Sequence, residues 1–214
     1  SNPFRGMTMP RKSSCKGRCS GKRGTMEVRR TFDLIEWNCT VYPREVMFGG
    51  KNGNEWITYS SEAFRELAAT FSCGLMSMGF VRGDRMATIT PNKAEWNIVD
   101  HGLSQAGMIH VPIYPTIGTE EYTYILEHSD VKAVIVGNRH LYNKIAPIAE
   151  KMPAIRAIFT FDPVNGLQTV DDIIAAGRIS RDKYMPQLTA VMDSIRPTDM
   201  VTIIYTSGTT GNPK

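Results

Sequence analysis

Strand-like and helix-like stretches alternate along most of this chain, and that alternation constrains the fold more than any other feature. Arg85–Thr90 (R-M-A-T-I-T) has the composition of a strand, and Lys93–Gly107 follows with a helical pattern. Met108–Ile113 is a second strand, brought to an end by Pro112 and Pro115. A helix is predicted over Thr119–His128 with Thr119 as its cap, then a buried strand at Ala133–Val136. Arg139–Lys151 is helical, Ala157–Thr160 a strand, and Thr169–Ala176 and Met185–Ser194 are two further helices, the latter with Pro186 in its first turn. Met200–Tyr205 (M-V-T-I-I-Y) closes the series as a strand. Strands separated by helices pair in parallel through crossovers, so the expected class is α/β: mostly parallel sheet flanked by helices.

Upstream, Phe32, Leu34, Ile35 and Trp37 suit a short helix. Glu55–Tyr59 (E-W-I-T-Y) suits a short strand, with a turn at Gly49, Gly50 and Gly53 before it. Ser60 or Ser61 can cap a helix running to about Met78, whose apolar positions Phe64, Leu67, Ala68, Phe71, Leu75 and Met78 recur at three and four residues. Gly79 is placed to end it as a C′ glycine.

The 25 cations and 21 anions are unevenly spread. Residues 1–30 hold nine cations and one anion, leaving 16 cations and 20 anions in the rest. That first stretch is rich in Ser, Gly, Lys and Arg and cannot bury enough apolar surface to offset its ordering entropy, so residues 1–30 are expected to form a basic, disordered tail. An arm for nucleic acid or anionic lipid is one use of it; a solvated leader is the simpler one. Cys15 and Cys19 are spaced C-x3-C with no second ligand pair, too few for a zinc site. With Cys39 and Cys73 they form no regular framework, which points to a reduced, cytoplasmic setting. No apolar run is long enough to span a membrane. His101, His110, His128 and His140 have no ligand partner at i+4 and are assigned core or surface roles. Trp96, Met76 and Met78 are assigned to packing, Asp84 to a turn, and Asp171-Asp172 to a helix N-terminus.

The chemistry lies in the last ten residues, Y-T-S-G-T-T-G-N-P-K. A β-branched stretch runs into hydroxyls, glycines and a lysine, a composition suited to a polyphosphate. Gly208 and Gly211 let the backbone turn tightly and bring N–H groups to an anion. Ser207, Thr209 and Thr210 add hydroxyl donors, and Lys214 supplies a compact charge. The Walker pattern G-x-x-x-x-G-K-[ST] fails here, because the glycines are three apart and the lysine follows the second by three. Open α/β sheets place ligands after strand ends, where this loop is expected.

The decapeptide resembles the signature phosphate loop of the adenylate-forming superfamily, which includes acyl-CoA synthetases, firefly luciferases and nonribosomal peptide adenylation domains. Trp56-Ile57-Thr58-Tyr59, Gly83-Asp84-Arg85, Pro91-Asn92-Lys93-Ala94-Glu95-Trp96, Gly107 and Val111-Pro112-Ile113-Tyr114-Pro115-Thr116 are similar to the long-chain fatty acyl-CoA synthetases. The resemblance covers about residues 31–214. It implies that this is the N-terminal portion of the large adenylate-forming domain, incomplete at its C-terminal end. It implies a carboxylate attacking the α-phosphate of ATP with Mg2+, then transfer of the acyl group from AMP to coenzyme A. Thr206, Ser207, Gly208, Thr209, Thr210, Gly211 and Lys214 are the implied phosphate-contacting set, with Thr206 or Thr209 as possible metal contacts. The family's aromatic-x-T-E segment, ribose-binding aspartate and carboxylate-polarising lysine have no counterpart in these 214 residues. A fatty acid, ATP and CoA are the implied partners, nucleic acid is not, and peripheral membrane contact fits an enzyme that draws on fatty acids. A catalytically inactive nucleotide-binding module and a fatty acyl-AMP ligase stay open as alternatives.

Overall fold

The computed structural model describes residues 27–206. The expected tail up to residue 26, with Cys15 and Cys19, and the loop residues 207–214 lie outside the described residues. Four parallel strands form the central sheet in the order β4-β3-β5-β6: β3 (Arg85–Ile89), β4 (Ile109–Ile113), β5 (Ala133–Val136) and β6 (Ala157–Thr160). The sheet is parallel because a helix returns the chain between each pair of strands. These crossovers are α3 (Glu95–Gln105), α4 (Thr119–His128) and α5 (Arg139–Ala149).

Successive strand residues point to opposite faces, so the sheet feeds two cores. Met86, Ala133, Ile135 and Phe159 pack under α3 and two further helices, α2 (Ser61–Ser77) and α6 (Val170–Ser194). Ala87, Ile89, Val111, Val134 and Val136 pack under α4 and α5 through Tyr122, Ile125, Leu141 and Ile145. Every residue of β5 is buried, as a strand covered on both faces requires. Burying each such valine or isoleucine contributes about 1.5–3 kcal/mol. The fold is therefore α/β with helices on both sheet faces.

Helix α1 (Asp33–Val41) and a separate antiparallel hairpin precede the sheet: β1 (Phe48–Asn52) and β2 (Glu55–Tyr59). The hairpin revises the expected turn: Gly49 and Gly50 lie within β1, and only Gly53, at φ +62°, makes the turn. Gly49 is held there by close approach, since a Cβ would sit 2.8 Å from the Ile57 carbonyl oxygen. Ser60 caps α2, its Oγ accepting from the Ala63 amide at 3.0 Å. Gly79, at φ +82°, ends that helix as expected, with Phe80 N–H returning to the Leu75 carbonyl. Met76 and Met78 pack against the core as expected.

Three other expectations change. Gly118, not Thr119, is the N-cap of α4, and its amide donates to Glu121 Oε2 at 2.9 Å. The two helices expected at 169–176 and 185–194 are one 25-residue helix, α6, with Pro186 inside it rather than in a first turn. The polar middle of α6 lacks a strong helical signal of its own, but Arg181 ties it to α2 by bonding Thr70 Oγ1 and Glu66 Oε2. Finally, Met200–Tyr205 does not form a strand: a single bridge joins Thr202 to His110 on the open edge of β4.

Candidate functional site

The structure anchors the approach to the predicted phosphate loop at His110. The His110 amide donates to the Val201 carbonyl at 3.0 Å, and its carbonyl accepts from the Ile203 amide at 2.9 Å and from Thr202 Oγ1 at 3.0 Å. Its side chain is 2 % exposed and lies between β4, β3 and α3. His110 Nδ1 meets Asp100 Oδ1 at 2.7 Å, and Nε2 meets Thr88 Oγ1 at 2.8 Å. The Trp96 indole donates to the same Thr88 oxygen at 3.0 Å, and its ring lies 5.1 Å from the imidazole. The Thr88 hydroxyl, with one hydrogen and two lone pairs, serves the indole and the imidazole at once. This network pins α3 to the two strands. The sequence pointed to a core or surface role for His110 and to packing for Trp96, but no local spacing revealed that they share a partner.

Beyond Thr202 the chain leaves the sheet edge. Ile203 and Tyr205 are half-buried against the core under α4 and α5. Tyr205 Oη meets His128 Nδ1 at 2.7 Å in the last turn of α4. Arg85, the first residue of β3, reaches the neighbouring Ser129 carbonyl at 3.2 Å, so this corner lies at the N-terminal end of the strands. Burial pushes the Tyr205 phenol up from its ordinary pKa. Thr206 is exposed at the edge of this corner. Ser207, Gly208, Thr209, Thr210, Gly211 and Lys214 lie outside the described residues. Among the described residues no group of three or more His, Cys, Asp or Glu is arranged to hold a metal ion.

A groove of about 990 Å³ opens at the C-terminal ends of β3 and β6, between the β1–β2 hairpin, the start of α3 and the loop before α6. Open α/β sheets bind ligands at this end. Lys93 Nζ bridges to Asp162 Oδ1 at 2.7 Å across it. Tyr59 donates to Glu95 Oε1 at 2.9 Å, and burial together with that carboxylate pushes its phenol pKa far up. Asp171 lines the same groove, its carboxyl pKa raised by burial, by Glu95 and by Asp172. Asp172 fills the expected helix-terminal role, since Thr169 and Asp172 cap each other. Asp171 lies in the same first turn, as expected, and both acids line the groove. Asp84 accepts from the Val81 amide within the expected turn. His101 packs edge-on against Phe64 with its basicity lowered by burial.

Comparison with known proteins identifies the family. The model of AMP-binding enzymes matches residues 35–214. The long-chain-fatty-acid–CoA ligase FadD15 of Mycobacterium tuberculosis is 32 % identical over 154 residues, covering 72 % of this chain and 25 % of the relative. The long-chain-fatty-acid–CoA ligase ACSBG2 of Xenopus laevis is 29 % identical over 186 residues, covering 85 % and 25 %. The chain thus spans about a quarter of the length of the curated relatives it matches. Among solved structures, the anthranilate CoA ligase AuaEII in complex with anthranoyl-AMP superposes with a TM-score of 0.63 at 22 % identity, covering 86 % of this chain and 33 % of that one. MbtA of Mycobacterium smegmatis superposes with a TM-score of 0.66 at 19 % identity, covering 89 % and 34 %. Those two likenesses are of fold alone. The match to the family model runs over five-sixths of the sequence, so this chain belongs to the AMP-binding enzyme family.

Proposed function

We propose that this chain is the part of an ATP-dependent long-chain fatty acyl-CoA ligase that supplies the ATP phosphate loop. The observation that carries the proposal is the segment Thr206–Lys214, which fits the superfamily's loop pattern and falls inside the family match. A carboxylate attacking the α-phosphate meets like-charge repulsion, and the departing pyrophosphate is a polyanion. Donors preset around the β- and γ-phosphates lower both costs and fix the in-line geometry. In this role Thr206, Ser207, Thr209 and Thr210 offer hydroxyls, Gly208 and Gly211 bring backbone amides close, and Lys214 follows the mobile terminal phosphate. Mg2+ would neutralise triphosphate charge, with Thr206 or Thr209 as its contacts on this chain. Coenzyme A is the acyl acceptor, and the fatty acid arrives from the cytoplasm or a membrane surface. A fatty acyl-AMP ligase is the alternative chemistry. Because the chain spans a quarter of its relatives, we infer that it is a catalytically inactive nucleotide-binding module when taken by itself.

The test is fatty-acid-dependent exchange of pyrophosphate into ATP by the complete ligase containing this chain. The proposal expects Thr209→Ala and Lys214→Ala to raise the KM for ATP at least about tenfold, one lost charge-assisted hydrogen bond each. Exchange that is unchanged in both variants contradicts it.

A further inference from the structure

We propose that an arginine-lined pocket at the N-terminal end of the sheet binds a phosphate dianion, either free or on a lipid headgroup. The pocket holds about 270 Å³ and is lined by Arg29, Arg30, Arg82 and Arg196, with Asp199 as its one acidic lining residue. It lies between the strap at residues 29–32, the end of α3 and the segment that follows α6.

The charge is unbalanced. Arg82 bonds Asp199 Oδ2 at 2.6 Å and Arg196 bonds Asp199 Oδ1 at 2.9 Å, so two guanidinium groups share one carboxylate. Arg30 is committed to the fold: it pairs with Asp33 at 2.9 Å and donates to the carbonyls of Met192 and Ile195, where α6 ends. Arg29 pairs with Glu27, but the two side chains are 64 % and 67 % exposed. A pair so exposed is worth little and is readily exchanged for a better anion. Arg196, with its side chain 77 % exposed, likewise has donors to spare. Arg30 is therefore fixed in the pocket wall, while Arg29 and Arg196, held in exposed ion pairs, can exchange those partners for a ligand.

A phosphate suits this arrangement better than a carboxylate. It carries close to two charges near neutral pH and offers three oxygens to the planar forks of more than one arginine. The volume admits a phosphate headgroup.

The experiment titrates inorganic phosphate into the 214-residue chain by calorimetry. It also measures co-sedimentation with phosphatidylcholine vesicles with and without phosphatidic acid. Arg29→Gln and Arg196→Gln are each expected to weaken phosphate binding about tenfold, while Lys144→Gln, an exposed cation on α5, leaves it as it was. Vesicle binding that falls in the same arginine variants identifies the headgroup as the source. Vesicle binding that ignores them, alongside phosphate binding that does not, identifies free phosphate. The proposal is overturned if the wild-type chain binds neither, or if both arginine variants bind phosphate normally, which would put the phosphate elsewhere. A loss in Lys144→Gln equal to theirs overturns it too, because the effect would then be diffuse charge.

Discussion

Gly177 of α6 meets Gly74 of α2 where the two helices cross, and neither position has room for a side chain. A Cβ on Gly177 would lie 1.9 Å from the Thr70 carbonyl oxygen and 2.9 Å from the Gly74 amide nitrogen. A Cβ on Gly74 would lie 2.0 Å from the Ile173 carbonyl oxygen. The obstacle in each case is backbone, which cannot rotate away. Gly177→Ala is expected to cost about 3 kcal/mol or more, at the upper end for overpacked cores. The urea midpoint of the purified chain measures it, and a midpoint equal to wild type would show that the helices do not cross this closely.

The buried network at His110 gives a second expectation. Thr88→Val keeps the shape of the side chain but removes the hydroxyl that serves both Trp96 and His110. Two polar groups then lose their partner, and the expected loss is about 2 kcal/mol. Chemical denaturation followed by tryptophan fluorescence reads both the stability and the Trp96 environment. Unaltered stability would mean that Thr88 is not the shared partner.

Asp171 makes a prediction about pH. Burial, Glu95 and Asp172 raise its folded-state pKa, with Arg178 opposing them. The folded state therefore holds this proton more tightly than the unfolded chain, and ionising the carboxyl at neutral pH costs stability. Asp171→Asn is expected to stabilise the chain at pH 7. That gain should shrink as pH falls through the raised pKa and vanish below the unfolded value near about 4. Thermal melts of both proteins across that range decide the sign, and a variant that is less stable at pH 7 contradicts it.

The exposed edge yields a prediction about solution behaviour. Outside β4 the described chain contributes one bridge, and Met200 and Ile204 are 61 % exposed there. An unpaired edge beside apolar side chains invites association with another copy. Sedimentation velocity on the 214-residue chain is expected to show concentration-dependent self-association. The same preparation, given ATP, fatty acid and CoA, is expected to form no acyl-CoA. A sharp monomer, or product formation, counts against the respective statement.

What could be seen in advance follows from range. The strands β5 and β6 and helix α4 were legible to the residue, because periodicity and flanking turn residues are local signals. The continuity of α6 was not, since the bonds from Arg181 to α2 that hold its middle join residues more than a hundred positions apart. Gly49 looked like a turn residue because its actual constraint, the Ile57 carbonyl, lies across a hairpin. Met200–Tyr205 has the composition of a strand, yet it makes one bridge to β4, and the packing of Ile203 and Tyr205 against the core under α4 is a tertiary effect. The segment proposed as a phosphate loop stands out in the sequence because its hydroxyls, glycines and lysine are contiguous. The groove at Ile57, Glu95 and Asp171 was not, because those three come from separate elements.

The proposed activity requires Thr206–Lys214 to grip the terminal phosphates of ATP. The most direct measurement is a crystal structure of the complete ligase with a non-hydrolysable ATP analogue. Hydroxyls and amides of Thr206–Thr210 within hydrogen-bond reach of the β- and γ-phosphate oxygens are the predicted result. A triphosphate bound away from this segment would contradict the account.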